Sequence, residues 1–244
     1  MQFLKASFKF VLGILHLLGG MWTIATRFSH ANAQQRGEHI AQWSRGLLSL
    51  LNVTVSVHGQ PVKCGPMLVV INHISWLDIL VMLAAQPVCF VSKSEVKHWP
   101  LIGWLATQVG TLYIERTKAR DALRVVHQIA EGLKAGQLIA IFPEGTTSNG
   151  QTVLPFHANL LQAAISAGSP VQAVALRYLE LQGQPSMSPV FVGDDTLVSS
   201  VWRMLCAAPV TAQLDFLESV ESQGLARRDL AQQLERLIAA QLNA

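Results

Sequence analysis

The chain begins with a nearly unbroken apolar stretch and then changes its hydrophobic period twice. From Phe10 to Thr26 the run is interrupted only by His16 and small residues, with Lys5 and Lys9 ahead of it. That length is at the short end of the roughly 17–25 residues that cross a bilayer as a helix. Three arrangements suit it: a span, a helix lying in the interface, or a cleaved leader ending at Ala31-Asn32-Ala33. Flanking charges set no orientation, since Lys5 and Lys9 on one side oppose Arg27, Arg36 and Arg45 on the other. Between Gln34 and Leu51, the apolar residues Ile40, Trp43, Leu47, Leu48 and Leu51 recur at helical spacing with Arg36, Glu38, Gln42 and Arg45 between them. This is the signature of an amphipathic helix. Residues 1–51 therefore read as a unit of membrane-associating helices.

From Asn52 the pattern shifts to short β-rich runs separated by helical ones. Strands are predicted at Val53–His58, Met67–Ile71, Val88–Val91, Thr111–Glu115, Leu138–Phe142, Val171–Tyr178, Pro189–Val192 and Val210–Leu217. Helices are predicted at Trp76–Ala84, Ala119–Ala135 (with Gly136 as its stop), Ala158–Ala167, Leu197–Ala207 and Ala226–Leu242. Such alternation predicts an α/β domain over residues 52–244, a mixed but largely parallel sheet flanked by helices.

Composition narrows the setting. Half of the residues are hydrophobic and 14% are charged, with a mean hydropathy of +0.34. Typical soluble domains carry about 25% charged residues. The apolar excess points to a bilayer surface, and a net charge of +3 suits anionic head groups. Nucleic-acid binding is disfavoured, because there is no Lys/Arg-rich run and no basic stretch interleaved with aromatics. Cys64, Cys89 and Cys206 are odd in number and widely spaced, forming neither a disulfide framework nor a metal-ligand pattern. The segment Lys93–Trp104 mixes lysines with Trp99 and Trp104, a composition suited either to a lip meeting lipid or to ordinary packing.

The chemistry concentrates in Asn72-His73-Ile74-Ser75-Trp76-Leu77-Asp78, directly after a strand. Imidazole is the side chain whose free pKa lies nearest neutrality, so His73 is a candidate base, and Asp78 a candidate for orienting it. With eight His and six Asp in the chain, one such spacing arises by chance in roughly one chain in five. A structural account also exists: Ser75 as a helix N-cap with Asp78 three residues later. The two accounts are compatible if His73 lies on the loop and Asp78 in the first helical turn.

Three further segments follow: Gly110–Arg116 (GTLYIER), Phe142–Thr147 (FPEGTT) and Ser169–Leu176 (SPVQAVAL). In this order, with the first block, they resemble the four motifs of the glycerolipid acyltransferases, from about Asn52 to about Arg203. The likeness is greatest to bacterial 1-acylglycerol-3-phosphate acyltransferases and lyso-ornithine lipid acyltransferases. Tyr113 replaces the usual Phe or Val of the second motif, and Ala173 stands where the fourth often repeats proline.

The resemblance implies transfer of a fatty acyl group from acyl-CoA or acyl carrier protein to a lysophospholipid hydroxyl. The leading acceptor is lysophosphatidate, giving phosphatidate, with lyso-ornithine lipid as its rival. A thioester already carries a good leaving group, so the reaction requires neither a metal nor a cofactor. His73 would deprotonate the hydroxyl while Asp78 holds it, with backbone N–H groups near Ser75–Trp76 as candidates for the oxyanion. Arg116, able to grip phosphate bidentately, is the first choice for the acceptor's charge, ahead of Lys118, Lys93 and Arg177. Glu144, Gly145 and Thr146 are implied at the acceptor site, with Asn72 and Pro170 added to the binding set from the first and fourth motifs. Glu144 would bind a hydroxyl or organise its loop, since a carboxylate repels phosphate. His157 resembles a second base but reads as a loop histidine. Cytosolic donors imply the inner membrane with a site facing the cytoplasm. A lipid hydrolase and an inert lipid-binding protein are the remote alternatives; no Gly-x-Ser-x-Gly elbow supports the first.

Overall fold

A computed structural model describes residues 2–114 and 119–243. Two helices come first, α1 (Gln2–Arg27) and α2 (Ala33–Leu50). The turn between them is closed by a capping box: Asn32 Oδ1 accepts from Gln35 N at 2.9 Å, and Gln35 Oε1 accepts from Asn32 N at 3.0 Å. Ala31–Ala33 thus forms a helix start. The α/β part runs β1 (Val53–Gly59), β2 (Met67–Ile71), α3 (Leu77–Ala85), β3 (Cys89–Lys93), α4 (Ile102–Gln108), β4 (Leu112–Ile114), α5 (Ala119–Lys134) and β5 (Leu138–Ile141). It continues with α6 (Gln162–Ala167), β6 (Val171–Leu179), α7 (Leu197–Cys206), β7 (Val210–Val220) and α8 (Arg227–Leu242).

Among the described residues the strands form one seven-stranded sheet in the order β1-β7-β6-β2-β5-β3-β4. Every neighbouring pair is parallel except β6–β7, as the alternation of elements predicts. All five residues of β2 are buried, because β2 is central and helices cover both faces. Val69 and Ile71 pack with α3, α7 and the N-terminal helices, while Leu68 and Val70 pack with α5, α6 and α8.

Two sequence expectations are corrected. Pro189–Val192 is not a strand; it is an irregular strap that reaches the loop after β2 through Phe191 N–H to Ile74 O at 3.1 Å. Arg203 on α7 holds this strap, donating to Ser188 O, Val190 O and the Asp195 carboxylate, so the backbone there bonds to a side chain where a strand would use a ladder. The helix expected from Ala158 forms only over Gln162–Ala167, preceded by turns. The Lys93–Trp104 segment carries a 3-10 turn, Ser94–His98, and then α4.

α1 is apolar along nearly its whole length, and an 18-residue window within Phe3–Arg27 has a mean hydropathy of 1.5. Leu4, Phe8, Val11, Leu15, Leu18 and Trp22 form an outward stripe at alternating spacings of four and three. The inner side docks on α2 through a reciprocal contact. His16 Nε2 donates to Trp43 O at 2.8 Å, Trp43 Nε1 donates to His16 O at 3.0 Å, and the rings stack. Gly46 permits that approach: a Cβ there would lie 2.6 Å from the His16 ring.

Candidate active site

The site forms where the C-terminal ends of β2 and β5 lie side by side, the position at which open α/β sheets place ligands. β2 ends at Ile71, and the next residue anchors the turn. Asn72 Oδ1 accepts from Leu176 N at 2.7 Å, and Asn72 Nδ2 donates to Leu176 O at 2.9 Å. The amide thereby joins the exit of β2 to β6, and Asn72 is 1% exposed. It builds the scaffold beneath the site rather than the binding surface expected of it.

His73 follows on the loop, and Asp78 sits in the first turn of α3. His73 Nδ1 lies 2.8 Å from Asp78 Oδ2, which also accepts from Ile74 N at 2.7 Å and Ser75 N at 2.9 Å. A carboxylate only accepts, so Nδ1 carries the proton and the lone pair is on Nε2. His73 is among the residues that line the cavity. Its ring stacks on Phe142, centroids 3.9 Å apart, which sets its plane. The capping expectation holds by half: Asp78 takes the Ser75 N–H, but Ser75 Oγ is buried with no partner among the described residues, and Trp76 occupies the N-cap position. Because Asp78 already holds the Ser75 N–H, that group is not available to an oxyanion.

From the end of β5, Glu144 braces the same loop. Its Oε1 accepts from His73 N at 2.6 Å and its Oε2 from Leu154 N at 2.9 Å, with the residue 3% exposed. Burial pushes its carboxyl above the ordinary value of 4.5, against the lowering effect of the Leu154 and His73 N–H groups. Of the two roles considered for Glu144, the geometry is that of loop organiser. Gly145 turns the chain at φ +72°, a conformation that favours glycine. Ser148 then caps the His73 carbonyl, with N–H to O at 2.7 Å.

These residues open onto a cavity of about 1450 Å³. That exceeds the about 300–1,000 Å³ typical of pockets for one drug-sized ligand. Its lining is largely apolar and includes Leu15 and Ile24 of α1, Leu80 and Leu83 of α3, and Ile102 and Leu105 of α4. Gly145, Thr146 and Thr147 edge it near His73, and Arg27, Lys93, Arg227 and His157 also line it. Among the described residues lining the cavity there is no Asp or Glu.

The other expected residues separate. Arg116 and Lys118 lie outside the described residues. Arg177 faces elsewhere, bonded to Asp215 at 3.1 Å and to Gln241 O at 2.7 Å. Pro170 does not join the site. It precedes β6 and bonds Leu68, four residues before the level at which Val174 meets Ile71, which puts it about 13 Å down the sheet.

A second histidine–aspartate contact separates appearance from setting. His58 Nδ1 lies 2.9 Å from Asp215, and Ser56 Oγ 3.1 Å from His58 Nε2, a serine–histidine–aspartate row. It lies on edge strand β1, with the His58 side chain 56% exposed, and lines no part of the cavity. Arg177 already neutralises Asp215. The hydrolase alternative gains no support from a row without a pocket.

Sequence reasoning did not identify Tyr178, whose hydroxyl donates to Asp78 Oδ1 at 2.8 Å, or Phe142 as the ring beneath His73. Phe142 stood inside a recognised motif; Tyr178 carried no local signal.

Comparison with known proteins decides the ancestry. The profile of the family described as Acyltransferase matches residues 54–177, which hold His73, Asp78 and Glu144. The chain belongs to the acyltransferase family. It is 41% identical over 196 residues to a lyso-ornithine lipid O-acyltransferase of Pseudomonas aeruginosa, covering 80% of this chain and 75% of that one. It is 36% identical over 212 residues to a 1-acyl-sn-glycerol-3-phosphate acyltransferase of Neisseria meningitidis, covering 85% and 82%. The crystal structure of the 1-acyl-sn-glycerophosphate (LPA) acyltransferase PlsC from Thermotoga maritima superposes with a TM-score of 0.75 at 19% identity, over 100% of this chain and 97% of that one. That structure shares the fold. The acyltransferase reading is therefore that of an O-acyltransferase acting on a lysophospholipid, with an apolar N-terminal helix suited to membrane association.

Proposed function

We propose that this acyltransferase moves a fatty acyl group from acyl-CoA or acyl carrier protein to the free hydroxyl of lysophosphatidate, forming phosphatidate. The observation that carries the reading is the His73–Asp78 pair at a cavity larger than a single-ligand pocket, largely apolar and also lined by Arg27, Lys93 and Arg227. His73 Nε2 takes the proton from the acceptor hydroxyl as its oxygen attacks the thioester carbonyl. Asp78 stabilises the resulting imidazolium. Collapse of the tetrahedral intermediate breaks the C–S bond, and His73 returns the proton to the departing thiolate. Glu144, Asn72 and Phe142 keep the histidine in place; Thr146 and Gly145 border the acceptor.

The choice of acceptor rests on charge. A lyso-ornithine head group carries an ammonium as well as a carboxylate, and an ammonium calls for an acidic partner. Arg27, Lys93 and Arg227 line the cavity and no described carboxylate does, which supports a purely anionic head group. The Pseudomonas aeruginosa relative, at 41% identity, supports lyso-ornithine lipid as the second reading. A cytosolic thioester donor supports the cytoplasmic side of the inner membrane as the working face.

The test is acyl transfer by the full chain reconstituted in vesicles, with both acceptors and both donors supplied in parallel and His73→Ala as control. Phosphatidate formation that falls by at least about a thousandfold in the variant is the expected result. Transfer to lyso-ornithine lipid alone would reassign the acceptor, and an active His73→Ala would overturn the mechanism.

A further inference from the structure

Asp78 is fully buried, and its two oxygens are loaded unequally. Oδ2 accepts from His73 Nδ1, Ile74 N and Ser75 N. Oδ1 has one partner among the described residues, Tyr178 Oη at 2.8 Å. Tyr178 lies on β6, is 3% exposed, and packs in the core that also holds Ile71, Leu77 and Val81. Burial, with the Asp78 charge beside it, pushes the phenol well above its ordinary value, which keeps its proton on the oxygen.

We propose that Tyr178 is a positioning residue for acyl transfer: its hydroxyl holds Asp78 Oδ1 and thereby sets the orientation and basicity of His73. The proposal rests on the reading of His73 as the base. A carboxylate fixed at both oxygens cannot rotate about its Cβ–Cγ bond, so Oδ2 stays in line with Nδ1. The phenol also draws negative charge toward Oδ1. Without it, the charge concentrates on the oxygen facing the imidazole, and the imidazolium is favoured. Loss of the phenol is then expected to move the proton release that gives the active base to higher pH.

The test compares pH–rate profiles of the reconstituted full chain carrying Tyr178→Phe, 3-fluorotyrosine at position 178, or His73→Ala. In Tyr178→Phe, kcat falls about tenfold, KM stays within about twofold, and the acid limb of kcat/KM moves up by about half a unit or more. Fluorotyrosine, a stronger donor of the same shape, moves that limb down. Should Tyr178→Phe not fold, the direction of the limb in the fluorotyrosine enzyme decides between the two roles. An acid limb unmoved in the variants that fold would leave Tyr178 as core filler and overturn the proposal, even with lowered kcat. An active His73→Ala would instead show that the base assignment had failed, a result separable from an inactive His73→Ala with unmoved limbs.

Discussion

Both oxygens of Glu144 end on backbone N–H groups, so the side chain that looks most like an acid of the site works as a bracket. Glutamine has one acceptor oxygen, and its NH2 would face an N–H with no answering acceptor. Glu144→Gln is expected to lose about 1–3 kcal/mol of stability. For a chain of this size that is roughly 2–4 °C of Tm per kcal/mol, checked by thermal unfolding. The pH dependence has a definite sign. Because the folded carboxyl is raised above its ordinary 4.5, its contribution is full below that value and fades as pH climbs through the folded one. Urea unfolding across that range would show the fade in the parent and not in the glutamine variant. At this scale the sequence was readable where the contacts are local. His73 and Asp78 lie five residues apart, and helix-start chemistry brings them together. Tyr178 reaches Asp78 across 100 residues of chain, a meeting fixed by strand order alone. Pro170 fails for the complementary reason: membership in a motif does not say which end of a strand faces the ligand.

Among the elements, periodicity fixed the long helices and the buried strands well, since β2 and β6 are apolar almost without interruption and α5 and α7 are strongly one-sided. It failed over Pro189–Val192, where a short apolar run binds Arg203 and the Ile74 carbonyl rather than a neighbouring strand. That strap has a function in the architecture. It lies against the residue after His73, Phe191 also lines the cavity, and Thr147 Oγ1 bonds the Phe191 carbonyl. Trp76 Nε1 adds a second tie to α7 through Ser200 Oγ at 3.0 Å. Arg203→Ala removes the hold on Ser188, Val190 and Asp195 together. The expected outcome is a several-fold loss of kcat with unchanged far-UV circular dichroism, because loosened positioning lowers the rate while the helix and sheet content remain.

At the scale of the whole molecule, the α1 stripe is exposed along with Trp99, Leu101 and Trp104, and Leu15 and Trp99 among them line the cavity. Apolar surface on this scale needs cover, and a bilayer with anionic head groups would suit a chain of net charge +3. Flotation with anionic vesicles should carry the full chain, and Leu4→Asp with Phe8→Asp and Val11→Asp should leave it in the soluble fraction. Vesicle capture of the triple variant equal to the parent would move the contact away from α1. The sequence expected membrane-associating N-terminal helices but could not show that α1 supplies a wall of the cavity, since nothing local marks Leu15 or Ile24 as lining. That shared wall has a consequence for turnover. A lysophospholipid has one chain to house, and the acylated product has two. Because one side of the chamber is itself an exposed apolar helix, docking of that helix in a bilayer would give the product a sideways exit into the leaflet, without passing through water. The step that frees the enzyme would then be lateral diffusion of a lipid, and turnover would slow in stiffer, more ordered bilayers even where the chemistry is untouched.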